Sequence, residues 1–370
     1  MPSHKRILHI VGARPNFIKV GPLIKAMQER LGVGQQLLVH TGQHFDSNMS
    51  DIFFEQLGIP YPEINLEVSK GSALVLLSEM IYRLEDPIKN FLPDCIVVYG
   101  DTNSTLAGAL SGSKLNIPIA HVESGLRSRD NTMPEEINRV ITDHISSYLF
   151  TPSRDATENL LAENIVTDKI YFVGNIMIDT LVSSMGQIDK SQILQTLKLR
   201  QSDKSEVKPY KVLTLHRPSN VDDPESLTKL IDSVINISSE HPTIFPVHPR
   251  SRDKIETIIN KLKTDKIICT EPLGYIEFLC LLKHATVVIT DSGGIQEETT
   301  HLGTPCITLR TTTERPITIS EGTNTLINPI DPNLTQRIVE AINSQKSKPS
   351  SIPELWDGKT AERITEVLIG

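Results

Sequence analysis

The chain is short of basic residues. Lys and Arg number 37 against 45 Asp and Glu, a formal net charge of −8 over 370 residues. A nucleic-acid surface needs the opposite balance, and so does adhesion to an anionic membrane. Neither partner is expected, although a single small anion needs only a few well-placed cations. Cysteine is also sparse: Cys95, Cys269, Cys280 and Cys306 are scattered, with no CxxC and no metal-ligand spacing. Three of them sit inside apolar runs (CIVVYG, FLCLLKH, PCITL), where a reduced core thiol is the ordinary reading. No run approaches the ~20 apolar residues of a membrane helix. The short apolar stretch after MPSHKR leads straight into GARPN and is too brief for a signal-peptide core. A soluble cytoplasmic protein is expected. The dinucleotide fingerprint G-x-G-x-x-G is missing, and no His/carboxylate spacing suggests a metal.

What is present is a repeated alternation of short apolar runs with helix-period segments. Strands are expected at 7–12, 36–42, 95–101, 117–124, 148–153 and 170–175, and a second series at 210–216, 243–249, 266–272, 285–292 and 305–310. Their nearly continuous apolar character is that of parallel strands covered by helices on both faces. At about 150 residues per domain the length suggests two domains. The polar stretch 188–209 separates the two series, and 344–353 reads as a linker before a last helix. The expected fold is α/β, with two Rossmann-like doubly wound domains.

Polar clusters fall at the strand ends, where open α/β sheets bind ligands: GARPN, TGQH, GDTNST, HVESGLR, TLHRPSN, VHPR and TDSGG. TDSGGIQEE opens a helix, so Ser292, Gly293 and Gly294 would offer backbone N–H groups to an anion. A tight turn capped by Asp291 or Ser292 fits that segment equally well. Glu297 and Glu298, one turn on, suit ribose hydroxyls and favour a nucleotide. Arg14 could grip a phosphate bidentately, whereas Lys19 alone would pass for a surface charge. His216 and Arg217 occupy a strand end of the second series. His248, between prolines, is weaker evidence. Asp101 and Glu123 end neighbouring strands and Glu135 follows Pro134 at a helix start. Carboxylates gathered in a cleft would repel one another, and their pKa values would rise into the range of acid–base catalysis. Helix capping is the plainer role for Asp101 and Glu135.

GARPNFIKVGPLIKA, VHTGQHFD, MSDIFFEQLGI, GDTNSTLAGAL, HVESGLRSRDNTMPEEINR, TLHRPSNVDD, EPLGYIEF, TDSGGIQEE and TTERP occur in this order from about residue 7 to residue 325. Together they resemble the non-hydrolysing UDP-N-acetylglucosamine 2-epimerases. The resemblance implies the GT-B fold, with two domains (1–172 and 173–355) facing a central cleft and a C-terminal helix, 356–370, packing back on the first. It implies 2-epimerisation of a UDP-sugar substrate by elimination and re-addition of UDP, with no cofactor, no metal and a homodimer. By motif, Asp101, Glu123, Glu135 and His216 would be catalytic. Arg14, Lys19, Phe278, Ser292, Gly293, Gly294, Glu298 and Arg315 would bind substrate. Gln43 and His44 match an activator subsite, although Phe45 and Asp46 depart from the pattern there. Asn16, where Glu is more frequent, and Pro218-Ser219, where Arg-Glu is frequent, depart near the site and would tune sugar specificity. The other readings are a GT-B glycosyltransferase, a hydrolysing epimerase and a non-catalytic nucleotide-sugar sensor. No acceptor motif supports the first, and the carboxylate set has no purpose in the last.

Overall fold

The computed structural model describes residues 5–32, 34–42, 56–200, 206–247, 249–345 and 350–370. It contains two parallel sheets, one in each of two compact units, Met1–Ser183 with Glu354–Gly370 and Ser184–Pro353.

In the first unit the strands are β1 (Ile7–Val11), β2 (Gln36–His40), β3 (Ile64–Asn65), β4 (Cys95–Tyr99), β5 (Ile119–Val122), β6 (Tyr148–Thr151) and β7 (Ile170–Phe172). They are ordered β3-β2-β1-β4-β5-β6-β7. The side-chain period of two explains why these runs are apolar throughout. Ile7 and Val11, with Val97 and Tyr99, enter a cluster on one face, while Leu8, Ile10, Ile96 and Val98 enter another on the opposite face. The register pairs Ile7 with Cys95 and Leu8 with Ile96. The order of connection reverses between β1 and β4, so the turns after these strands diverge and leave a crevice at the carboxyl edge.

The helix Arg14–Gln28 follows β1, and the helix Thr360–Ile369 packs against it. Ala361, Ile364, Leu368 and Ile369 join Val20, Leu23, Ile24 and Met27 in one cluster. Lys359, at the N-cap of the last helix, makes no side-chain cap. Asp179 supplies it instead, accepting from Thr360 N at 3.1 Å and Ala361 N at 2.7 Å. Just upstream lies the single tryptophan of the chain, Trp356. It is buried and donates to the Pro152 carbonyl at 2.9 Å.

The second unit holds β8 (Lys211–Thr214), β9 (Thr243–Pro246), β10 (Ile267–Thr270), β11 (Val287–Thr290), β12 (Cys306–Leu309) and β13 (Asn324–Ile327). The order is β10-β9-β8-β11-β12-β13, with its reversal between β8 and β11. Leu213, Phe245, Ile289 and Ile307 form its core with Leu227, Leu230, Ile231 and Ile255.

Two strands escape the sequence reading, β3 and β13. Both are edge strands, paired on one side only and partly exposed, so neither needs an apolar run. The division between the units falls at 183/184, inside the helix Ile176–Ile188, whereas the sequence reading drew it at 172/173. The first half of that helix belongs to the first unit's core: Ile176 is in the cluster and Thr180 Oγ1 donates to the Ile18 carbonyl at 2.5 Å. The four cysteines are free, and burial pushes the Cys95 thiol up to about 12 and that of Cys306 to about 11. Among the described residues no helix is long and apolar enough to cross a membrane.

Candidate functional site

The polar clusters gather at the carboxyl edge of each sheet, on the turns after β1, β4 and β5 in the first unit and after β8 and β11 in the second. In the turn after β1, Asn16 Oδ1 accepts from the Gly12 and Ala13 amides, both at 3.1 Å, and its Nδ2 donates to the Tyr99 carbonyl at 2.8 Å. A glutamate here could not donate to that carbonyl, so this departure is a tie between the ends of β1 and β4. Gly12 is required by proximity: a Cβ would lie 1.9 Å from Ser104 Oγ and 2.3 Å from Thr41 Oγ1. Those two hydroxyls bond each other at 2.8 Å.

Asp101 follows β4 but is not a helix cap. Thr102 holds the N-cap of the helix Asn103–Lys114, accepting from Thr105 N. The Asp101 carboxylate instead meets Arg139 Nη2 at 2.6 Å, and the Nη1 of the same guanidinium donates to Glu136 at 2.6 Å. Glu136 also accepts from the Ser128 and Arg129 amides at 2.9 and 2.8 Å. Its burial opposes ionisation, but these donors and Arg139 outweigh it and hold the carboxyl below its ordinary range. Glu123, just after β5, has φ of 71°, left-handed backbone that a side chain rarely adopts. Its carboxylate pairs with Lys19, and both side chains are buried. Gly100 makes room: its φ is 63°, and a Cβ there would stand 2.9 Å from Lys19 Nζ.

The expected crowding of bare carboxylates is therefore corrected. Asp101 and Glu123 occupy neighbouring turns, and each has its own cation. Glu135 stands exposed on the first turn of the helix Pro134–Ile145, and its neighbour Glu136 does the holding instead. Lys19, which reads as a surface charge when taken alone, is one of the buried ions of this edge. Arg139 and Glu136 went unnoticed in the sequence, although both stand in the same PEEINR segment as Glu135. Arg14 opens the helix Arg14–Gln28. Gln43, His44 and His248 lie outside the described residues.

In the second unit Asp291 organises the edge. It is fully buried and accepts from the His216, Arg217 and Asn220 groups at 3.0 to 3.2 Å. His216 Nδ1 lies 2.6 Å from Asp291 Oδ1, and the imidazole is 55% exposed. Burial works against the Asp291 charge, but the hydrogen bond from His216, its charge and the amides outweigh it and hold the carboxyl below its ordinary range. With Nδ1 committed to Asp291, the other ring nitrogen is the one available to a ligand.

Ser292 occupies the N-cap of the helix Gly293–Leu302, yet its side chain makes no capping hydrogen bond. The space beside Gly293 is taken by protein groups rather than left for a ligand. A Cβ there would lie 2.5 Å from Arg315 Nη1 and 2.8 Å from Glu314 Oε1. Arg315 Nε meets Glu297 at 2.9 Å, its Nη1 pairs with Glu314, and Glu314 takes Arg310 at 2.8 Å. Glu297 is thus bound to a cation, while Glu298 is buried on the same turn of helix, beside Gly294 at its start. Phe278 is half-buried on the helix Tyr275–His284. Chemically, the first unit offers carboxylates with fixed counter-ions, and the second offers a carboxylate-oriented imidazole, a helix N-terminus and an arginine. The first set suits proton transfer and the second suits a bound anion, each within its own unit. Among the described residues no group of His, Cys, Asp and Glu could hold a metal ion.

A family model for UDP-N-acetylglucosamine 2-epimerase matches residues 25–369. A UDP-N-acetylglucosamine 2-epimerase of Methanocaldococcus jannaschii is 41% identical over 97% of both chains. A UDP-2,3-diacetamido-2,3-dideoxy-D-glucuronate 2-epimerase of Pseudomonas aeruginosa is 42% identical over 87% of this chain and 88% of its own. Among solved structures, the M. jannaschii UDP-GlcNAc 2-epimerase in complex with UDP-GlcNAc and UDP has a TM-score of 0.87 at 40% identity, covering 98% of this chain and 99% of that one.

Proposed function

Since the chain belongs to the UDP-N-acetylglucosamine 2-epimerase family, we propose that it interconverts UDP-N-acetylglucosamine and UDP-N-acetylmannosamine without hydrolysis. The observation that carries this reading is the pair of carboxylates, Asp101 and Glu123, on adjacent turns at one sheet edge, each beside a buried cation.

The proton on carbon 2 of the sugar is barely acidic, because the acetamido group gives it no carbonyl conjugation. Direct removal and return would be slow. If the bond from carbon 1 to the diphosphate oxygen breaks first, its electron pair leaves with UDP and positive charge develops on the ring. A carboxylate then takes the carbon 2 proton, and the electrons of that bond form the double bond of a 2-acetamidoglucal. Returning a proton to the opposite face, with re-addition of UDP at carbon 1, gives the epimer. Each proton transfer by a positioned side chain is worth roughly 10²–10⁴-fold.

In this reading Asp101, Glu123 and Glu135 serve the sugar. Arg14, Lys19 and His216 meet the charge of the departing diphosphate, with the start of the helix Gly293–Leu302. Phe278, Ser292, Glu298 and Arg315 hold the uridine and phosphates, and activation through Gln43 and His44 is doubtful given Phe45 and Asp46. The chemistry balances with no redox cofactor. A cytoplasmic homodimer belongs to the same reading, and sedimentation of the purified protein reads out its assembly.

Incubation with UDP-GlcNAc in deuterated water, followed by proton NMR, tests the proposal. UDP-ManNAc carrying deuterium at carbon 2 is expected. Free ManNAc would mean hydrolysis, and no exchange at all would defeat the epimerase reading for this sugar. The Pseudomonas relative favours a second substrate class, a UDP-2,3-diacetamido uronate. The same incubation with that sugar nucleotide decides which of the two is turned over faster.

A further inference from the structure

His121 sits on β5, two residues before Glu123, and its ring is fully buried. Nδ1 lies 2.6 Å from Asp143 Oδ1, and Nε2 lies 2.8 Å from the Gly100 carbonyl oxygen. A carbonyl oxygen can only accept, so Nε2 must carry a proton. Burial works against the Asp143 charge, but His121 and Arg127 outweigh it and hold the carboxyl below its ordinary range. The ring is thus held on both sides, by the carbonyl just after β4 and by a carboxylate.

Asp143 is itself anchored from several sides. Asp143, from the helix Pro134–Ile145, also takes Arg127 Nη1 at 2.7 Å and the Gly125 amide at 3.1 Å. Behind it, Glu163 receives Arg127 Nε and Nη2, both at 2.7 Å.

From these contacts we infer that His121 is a positioning residue for the acid–base pair. It ties the carbonyl of Gly100, the residue before Asp101, to β5 and to the helix that carries Arg139. Asp143 closes the other side by holding the Gly125 amide, two residues past Glu123. The clamp therefore encloses both carboxylate-bearing turns. This role rests on the epimerase reading above.

The role is read in His121→Asn, with Asp143→Asn as a second variant that breaks the clamp from its other end. The expected result is a fall in kcat on the order of 10–100-fold with the KM for the UDP-sugar within about twofold, since misplacing a reacting group by about 1 Å costs that much. Deuterium entry at carbon 2 should slow in parallel. Unchanged kcat, or a loss confined to KM, would overturn the positioning role. Absence of turnover in the wild type would instead defeat the functional reading on which the role rests.

Discussion

Arg139 Nη2 lies 2.6 Å from Asp101 Oδ2 while Nη1 of the same guanidinium serves Glu136. One planar cation thus links a carboxylate at the open edge to one that pins the loop after β5. Lysine cannot reproduce that fork. Arg139→Lys is expected to lose kcat by on the order of tenfold or more, with a smaller change in UDP affinity. Arg139→Leu leaves buried Glu136 without its cation, and losses of about 3–5 kcal/mol are typical of such a break. Thermal unfolding of both variants, alongside steady-state kinetics, checks the order. Equal Tm values for Leu and Lys would show that the pair with Glu136 contributes little.

Asp101→Asn keeps the size of the side chain and removes its charge. Turnover should fall by roughly 10²–10⁴-fold, the usual worth of a positioned acid or base. UDP affinity by calorimetry should stay within about twofold. A large loss of UDP binding would instead make Asp101 a ligand-holding residue.

Asp291→Asn puts an amide where three N–H groups now donate. At least one buried donor then faces another donor, for a stability loss of about 1–3 kcal/mol. The imidazole of His216 also loses the carboxylate that orients it. Both kcat/KM and UDP affinity should drop, in contrast to Asp101→Asn, and comparing the two variants by calorimetry separates leaving-group binding from sugar chemistry.

Gly12→Ala forces a methyl group to within 1.9 Å of Ser104 Oγ. Overpacking of this kind costs about 1–3 kcal/mol. Adding Ser104→Ala should not restore the protein, because the Ser104 Cβ itself would lie 2.8 Å away. Denaturant midpoints of the single and double variants give the answer, and full recovery in the double variant would contradict the packing described.

Burial raises the Asp179 carboxyl to about 6 from its ordinary 3.8, despite the amides of Thr360 and Ala361. The folded chain therefore binds a proton that the unfolded chain lacks between these two values. Stability contributed by this group is complete below about 4 and is lost as pH rises through 6. Asp179→Asn should erase that slope. The Tm advantage of wild type over variant is expected to grow as pH falls from 7 to about 4.5, and a constant difference would refute the assignment.

Among the described residues the apolar runs made eleven of thirteen strands legible, most of them because strands buried on both faces announce themselves by composition. The edge strands Ile64–Asn65 and Asn324–Ile327 carry no such signal. At the site, the strand-end rule located the turns that bear Asp101, Glu123 and Asp291. It could not supply their partners. Arg139 and Lys19 approach from helices, and nothing in residue spacing says which carboxylate a helical cation will reach. In sequence Gly293 offers a backbone amide to an anion, and only the fold reveals that Arg315 and Glu314 crowd that glycine. Glu135 and Glu136 are adjacent in sequence, and a one-residue step around a helix decides which is buried.

The first unit is interrupted: it stops at residue 183 and resumes at 354. A ribosome making this chain from the N-terminus must complete the entire second unit before the final helix emerges. Until then, Val20, Leu23 and Met27 lack the covering of Ala361, Ile364 and Leu368. Synthesis therefore exposes an apolar stripe on a nearly finished unit, a period in which aggregation competes with folding. Truncation just after Trp356 would make that exposure permanent, and the signal of that residue would reveal it.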